Sequence, residues 1–137
     1  MTEFELAQLQ YMDYERQQGL IGLIQTQADL VSNDLTMWAS GLFGYLVVAY
    51  FVGGSLTKVQ VTILNCLYLA VATATQFAIL TGGLVLSGFA AKYSEVSGYP
   101  PSMTTSPMFT LLGTGLNTAC LVASLYFMWT VRHSRTE

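Results

Sequence analysis

Hydrophobic and polar positions separate along this chain into one polar stretch and three long apolar blocks. Asp, Glu, Lys and Arg are missing from Leu35–Thr57, Val59–Ala91 and Val96–Val131. A bilayer core about 30 Å thick takes roughly 20 apolar residues in helix. The first block fits one crossing. The second is too long for one simple crossing and too short for two, so it reads as one helix projecting beyond the bilayer, with Gly82–Gly83 as a place to bend. The start of the third, taken with the residues just before it (Tyr93 to Pro107), is rich in Ser, Thr, Gly and Pro, which reads as a loop. Its helix then starts at Ser106–Pro107, an N-cap followed by proline at the first helical position. The pattern predicts an all-α integral membrane protein with three transmembrane helices, near residues 35–57, 60–90 and 107–131, and a short polar tail over 132–137.

Residues 1–34 carry a different pattern. Leu20, Ile24, Ala28, Val31 and Leu35 recur at spacings of three and four, the signature of one apolar helix face. Thr2 with Glu5 matches the spacing of a capping box at a helix start. An amphipathic N-terminal helix is therefore expected, with Gly19 or Gly22 as candidate breaks and Ser32–Asn33–Asp34 leading into the first span. It either lies on the membrane or packs against protein. Surface-seeking helices usually carry Lys and Arg on the polar face, whereas this one carries Glu3, Glu5, Asp13, Glu15, Asp29 and Asp34 against one Arg16.

Composition sharpens the picture. Only 9% of the 137 residues are charged, against about a quarter in a soluble domain, so a soluble enzyme and a disordered tail are excluded. The net charge of −3 and the lack of a basic stretch argue against nucleic acid as a partner. The acidic start is unlike a secretory signal. Cys66, Cys120 and the single His133 form no cluster, so no metal or other cofactor is expected. The spans hold no His or carboxylate to activate a nucleophile, and neither glycine pair belongs to a phosphate loop, so no catalytic residues are assigned and the chain reads as non-enzymatic.

The polar residues within the spans are the candidate site. Asn65, Gln76 and Ser87 fall within roughly 40° of one line on the second helix, and Asn117 shares a face of the third with Thr110, Thr114 and Ser124. Such residues either hydrogen-bond across helix interfaces or line a cavity built from several copies. Ser40 and Gly44 on the first helix, with Thr75, Ala78 and Gly82 on the second, are candidate close-packing positions. Trp38, Tyr93, Tyr99, Tyr126 and Trp129 lie near span ends, where aromatic belts form.

The segment Tyr45–Val61, YLVVAYFVGGSLTKVQV, resembles one in small three-span bacterial membrane proteins of no assigned activity. That resemblance implies a three-span layout in the bacterial inner membrane and transfers no residue role. The chain is also similar to class I phage holins in its three spans and orientation, but it departs from them in its long acidic start and its weakly basic tail. The functional expectation is a membrane protein, in contact with lipid, that self-associates into a homo-oligomer, with a pore or channel as one form of it. The alternative is an accessory or anchoring subunit of a larger membrane complex, with a holin-like pore former third.

Lys58, Arg132 and Arg135 share one side and Lys92 the other, which places the N-terminus outside and the C-terminus in the cytoplasm. Single cysteines at positions 2 and 137, in a background lacking Cys66 and Cys120, test this on intact cells. Labelling by an impermeant reagent is expected at 2; labelling at 137 alone overturns the orientation.

Overall fold

A computed structural model describes residues 3–133 of the chain. Three long helices follow one another: α1 over Glu3–Phe51, α2 over Lys58–Ser97 and α3 over Pro107–His133, with a short 3₁₀ turn at Met103–Thr105 before α3. All three are long and apolar enough to cross a membrane. At 1.5 Å per residue they measure about 73, 60 and 40 Å. Thr2 and Arg135 lie outside the described residues, as do the side chains of Arg132 and His133, so the first capping box and the basic tail are not among the features below.

The most extensive contact joins α1 to α2, which run antiparallel. The half-buried row on α1 is Gln17, Leu20, Ile24, Gln27, Val31, Asp34 and Trp38, continuing into buried Tyr45 and Ala49. Its alternating steps of three and four average 3.5 residues, the repeat that keeps one face of a helix against a neighbour. Of the stripe read from the sequence, Leu20, Ile24 and Val31 belong to this row, whereas Ala28 and Leu35 are exposed.

The separate N-terminal helix expected over 1–34 is instead the first part of α1, which runs unbroken to Phe51. The packed row crosses Ser32–Asn33–Asp34 without a change of phase, and no proline interrupts it. Thr36 Oγ1 donates to Ser32 O at 2.9 Å, adding a side-chain bond within that stretch. Gly19 and Gly22 sit inside the helix with open space where a Cβ would be. They neither break α1 nor admit a neighbour.

α1 ends at Phe51, six residues before the expected end of the first span, and the α1–α2 turn takes residues 52–57. Gly53 N donates to the carbonyls of Val48 and Ala49, at 3.1 and 3.2 Å, and Ser55 N donates to Val52 O. A Cβ at Gly53 would meet Ala49 O and the Met128 sulfur, so only glycine fits. Thr57 then caps α2: its Oγ1 accepts from Gln60 N at 3.3 Å, and Gln60 Oε1 accepts from Thr57 N at 2.9 Å. This is a capping box. At the other end Gly98 takes φ 73° and donates to Ser94 O. Its left-handed conformation ends α2 as a glycine C-cap does, after the helix has taken in the first five residues, Tyr93–Ser97, of the segment expected to be loop. Ser106 Oγ accepts from Phe109 N at 3.2 Å at the start of α3.

The core clusters near the α1–α2 turn, where Tyr45, Ala49, Val61 and Met128 are buried with Leu56, Leu64, Tyr68 and Leu125 against them. At the opposite end of the three-helix region, α2 meets both neighbours through its glycine pair. A Cβ on Gly82 would lie 2.9 Å from Val31 Cγ2, and one on Gly83 would lie 2.5 Å from Thr110 Cγ2. Beyond that level α3 is absent; α1 and α2 continue as a two-helix stalk for about 22 Å, to the end of α2 at Ser97, and α1 runs on with residues 3–16 exposed. From Val31 to Glu3 the stalk helix is about 40 Å long.

Gly83→Ala is expected to destabilise the bundle by about 1–3 kcal/mol through overpacking. Thr110→Ala in the same chain should recover most of that loss in a denaturant titration of the detergent-solubilised protein. No recovery would show that the α2–α3 contact at Gly83 does not form.

Candidate functional site

The polar residues of the three-helix region form two interhelical joints. The lower joint is aromatic. Tyr45 of α1 stacks on Tyr68 of α2, with ring centroids 4.0 Å apart and planes 12° from parallel. Each phenol hydrogen-bonds at the stack's edge. Tyr45 Oη donates to Asn65 Oδ1 at 2.8 Å. Tyr68 Oη lies 2.9 Å from Ser124 Oγ of α3. Because Ser124 Oγ donates to Leu121 O at 2.7 Å, the Tyr68 hydroxyl is the donor of that pair. One stacked pair thus ties all three helices, through an amide on one side and a hydroxyl on the other.

The upper joint is an amide. Gln76 Nε2 donates to Thr114 O at 2.7 Å and to Thr118 Oγ1 at 3.2 Å, linking α2 to α3. Thr114 O also accepts from Thr118 Oγ1 at 2.9 Å. Asn117 lies between those threonines in the chain and is half-buried on the same helix.

The line of Asn65, Gln76 and Ser87 therefore divides by partner. Asn65 turns to α1, Gln76 to α3, and Ser87 Oγ donates to Leu84 O within its own helix. Thr75 is buried and donates to Val71 O, while Ala78 is half-buried and Gly82 meets Val31. Ser40 and Gly44 are exposed, and nothing stands within 4 Å of a Cβ built on Gly44. Ser40 Oγ donates to Thr36 O at 2.8 Å. Exposed hydroxyls such as Ser40, Thr36 and Thr81 each reach a carbonyl of their own helix. A hydroxyl satisfied this way can face hydrocarbon without a wetted lumen beside it.

The Tyr45–Tyr68 stack is the feature that the angular reading missed. Tyr45 and Tyr68 carry the needed signal, since both lie well inside apolar blocks and a tyrosine hydroxyl at that depth needs a partner. An apolar groove of about 570 Å³ runs between α1 and α3, with Leu42, Leu46, Tyr50, Cys120, Ala123 and Phe127 among its walls. Among the described residues, no three His, Cys, Asp or Glu side chains gather to hold a metal ion. Cys66 and Cys120 are free thiols.

Comparison with protein families, with curated proteins and with solved structures finds no match for the chain. The functional reading accordingly rests on the geometry of the bundle.

Proposed function

We propose that this chain is a non-enzymatic, multi-pass membrane protein that self-associates through the free face of α1. One observation carries the reading. On the side of α1 turned away from the groove with α3, Leu23, Leu30 and Met37 repeat at seven-residue intervals and are 48%, 53% and 57% exposed. The alternate positions Gly19, Thr26, Asn33 and Ser40 repeat at the same interval and are also exposed. A seven-residue repeat of large residues interleaved with small ones is the pattern of a helix seam.

Depth strengthens the argument. Lipid covers apolar side chains inside a bilayer, and they need no protein partner there. Leu23 lies about 12 Å beyond Val31 along α1, past the level where α3 starts, and about 42 Å along the helix from its end at Phe51, more than the roughly 30 Å of a bilayer core. Lower on the same side, Gly41 and Gly44 have open space around them, so the small residues of α1 are free to let a second copy approach closely. A row that continues from the stalk into the membrane suits a parallel assembly of identical chains in the bacterial inner membrane.

Within such an assembly, the bonding of Gln76 to α3 supports a packing role for the polar residues over a lumen-lining one. The stalk tip supports the second reading, an accessory subunit of a larger complex. Phe4, Tyr11 and Tyr14 are each at least 60% exposed there, among Glu3, Glu5, Asp13 and Glu15, which fits a basic, partly apolar partner.

Native mass spectrometry of the full chain released from nanodiscs separates these readings. A discrete oligomer is expected for the parent. Leu23→Asp with Leu30→Asp should weaken association by at least about 2 kcal/mol, roughly 30-fold, with helix content unchanged by circular dichroism. A monomeric parent would rule out self-association and leave the accessory reading. An oligomer indifferent to both substitutions would rule out the α1 face. Ion flux through liposomes holding the assembled parent decides whether the assembly conducts.

A further inference from the structure

Among the described residues, two buried side-chain atoms have no hydrogen-bond partner in the chain: Gln76 Oε1 and Asn117 Nδ2. They belong to one layer of the bundle. The Gln76 amide reaches Thr114 and Thr118, the residues that flank Asn117. Asn117 is three residues from Thr114, so it projects roughly 60° around α3 and about 4.5 Å along it. Both residues are half-buried, and these two atoms are themselves buried.

The orientation of Gln76 is not arbitrary. Exchanging its oxygen and nitrogen would set Oε1 against the Thr114 carbonyl, two acceptors facing each other. The Nε2 bond at 2.7 Å to Thr114 O requires the amide as it stands, which makes Oε1 the atom left over. A buried polar atom without a partner costs about 1–3 kcal/mol. Native structures relieve nearly all such atoms, often with internal water.

The chemistry of the two atoms selects the ligand class. As placed, one is a carbonyl acceptor and the other an N–H donor, and water, which both donates and accepts, also suits the Asn117 amide turned over. A cation suits Gln76 Oε1 but not the Asn117 N–H, and an anion suits the Asn117 N–H but not the Gln76 carbonyl. A neutral molecule that both donates and accepts satisfies the pair. We propose that the layer between Gln76 and Asn117 is a binding site for a single water molecule, which donates to Gln76 Oε1 and accepts from Asn117 Nδ2. The site lies inside one chain and does not depend on self-association.

Proton-detected solid-state NMR of the full, ¹⁵N-labelled chain in lipid bilayers tests it. Gln76→Leu and Asn117→Leu assign the two side-chain amide signals by their disappearance. Magnetisation transfer from water to the Asn117 Nδ2 protons is expected in the parent. It should be lost in Gln76→Leu, or in the similarly shaped Gln76→Met where leucine disturbs folding. An Asn117 side chain that receives no water magnetisation in the parent overturns the proposal. So does a transfer that persists unchanged without the Gln76 carbonyl, because that water would be held by something else.

Discussion

The bundle depends on one constraint, the continuous pairing of α1 with α2 through a 3.5-residue row. Isolated helices gain little from length alone, and their stability comes from the face they pack. The row from Gln17 to Ala49 supplies that face over most of α1, and it explains why one helix passes from an acidic, polar stretch into an apolar one without a joint. The polar composition of residues 3–34 changes what surrounds the helix, not whether it is a helix. Gln17, Gln27 and Asp34 sit in the packed row alongside Leu20, Ile24 and Val31, so the stalk seam is mixed where the lower seam is apolar and aromatic.

From that pairing the position of α3 follows. α2 is shared, and its residues face two neighbours at different levels. Tyr68 stacks toward α1 and hydrogen-bonds toward α3, while Gly82 and Gly83 admit Val31 and Thr110 on adjacent faces. Because α3 begins at Pro107, near the level of Gly83, it covers only the lower part of the hairpin. The upper part is a two-helix stalk. Its exposed leucines are an outcome of this length mismatch, since two paired helices bury one seam and leave their other faces open. The exposed leucines of the stalk and the buried polar layer thus have separate origins: the first lie where α3 is missing, the second where α3 brings Asn117 and Thr114 against Gln76.

Much of this was legible in the residues. The three uncharged blocks correspond to three helices long and apolar enough to cross a membrane, and Ser106–Pro107 marks the start of α3. The α2 start carries a signal that the sequence reading did not use: Thr57 and Gln60 stand three apart as a capping box does, three residues after a glycine pair. The extent of the helices was harder to read. Gly98 ends α2 only because it adopts a left-handed conformation, and the nearby Tyr93–Ser97 has a loop-like composition although it is helical. Composition also suggested a boundary at Asp34, which the packing row overrides. Among the polar residues, helical angles group Asn65, Gln76 and Ser87 on one line, but a line on α2 has α1 to one side and α3 to the other. Which neighbour each side chain meets depends on the placement of three helices, and no spacing within one helix carries that information.

The most direct test of the account is a distance along α1. Nitroxide labels on cysteines introduced at the exposed positions Gln10 and Gly41, with Cys66 and Cys120 replaced, can be measured by pulsed electron spin resonance in bilayers. An unbroken helix that carries its pairing row through Asp34 predicts a narrow distribution near about 46 Å. A distribution centred well below that value, or one broadened across tens of ångströms, would place a break between the stalk and the span and contradict the account.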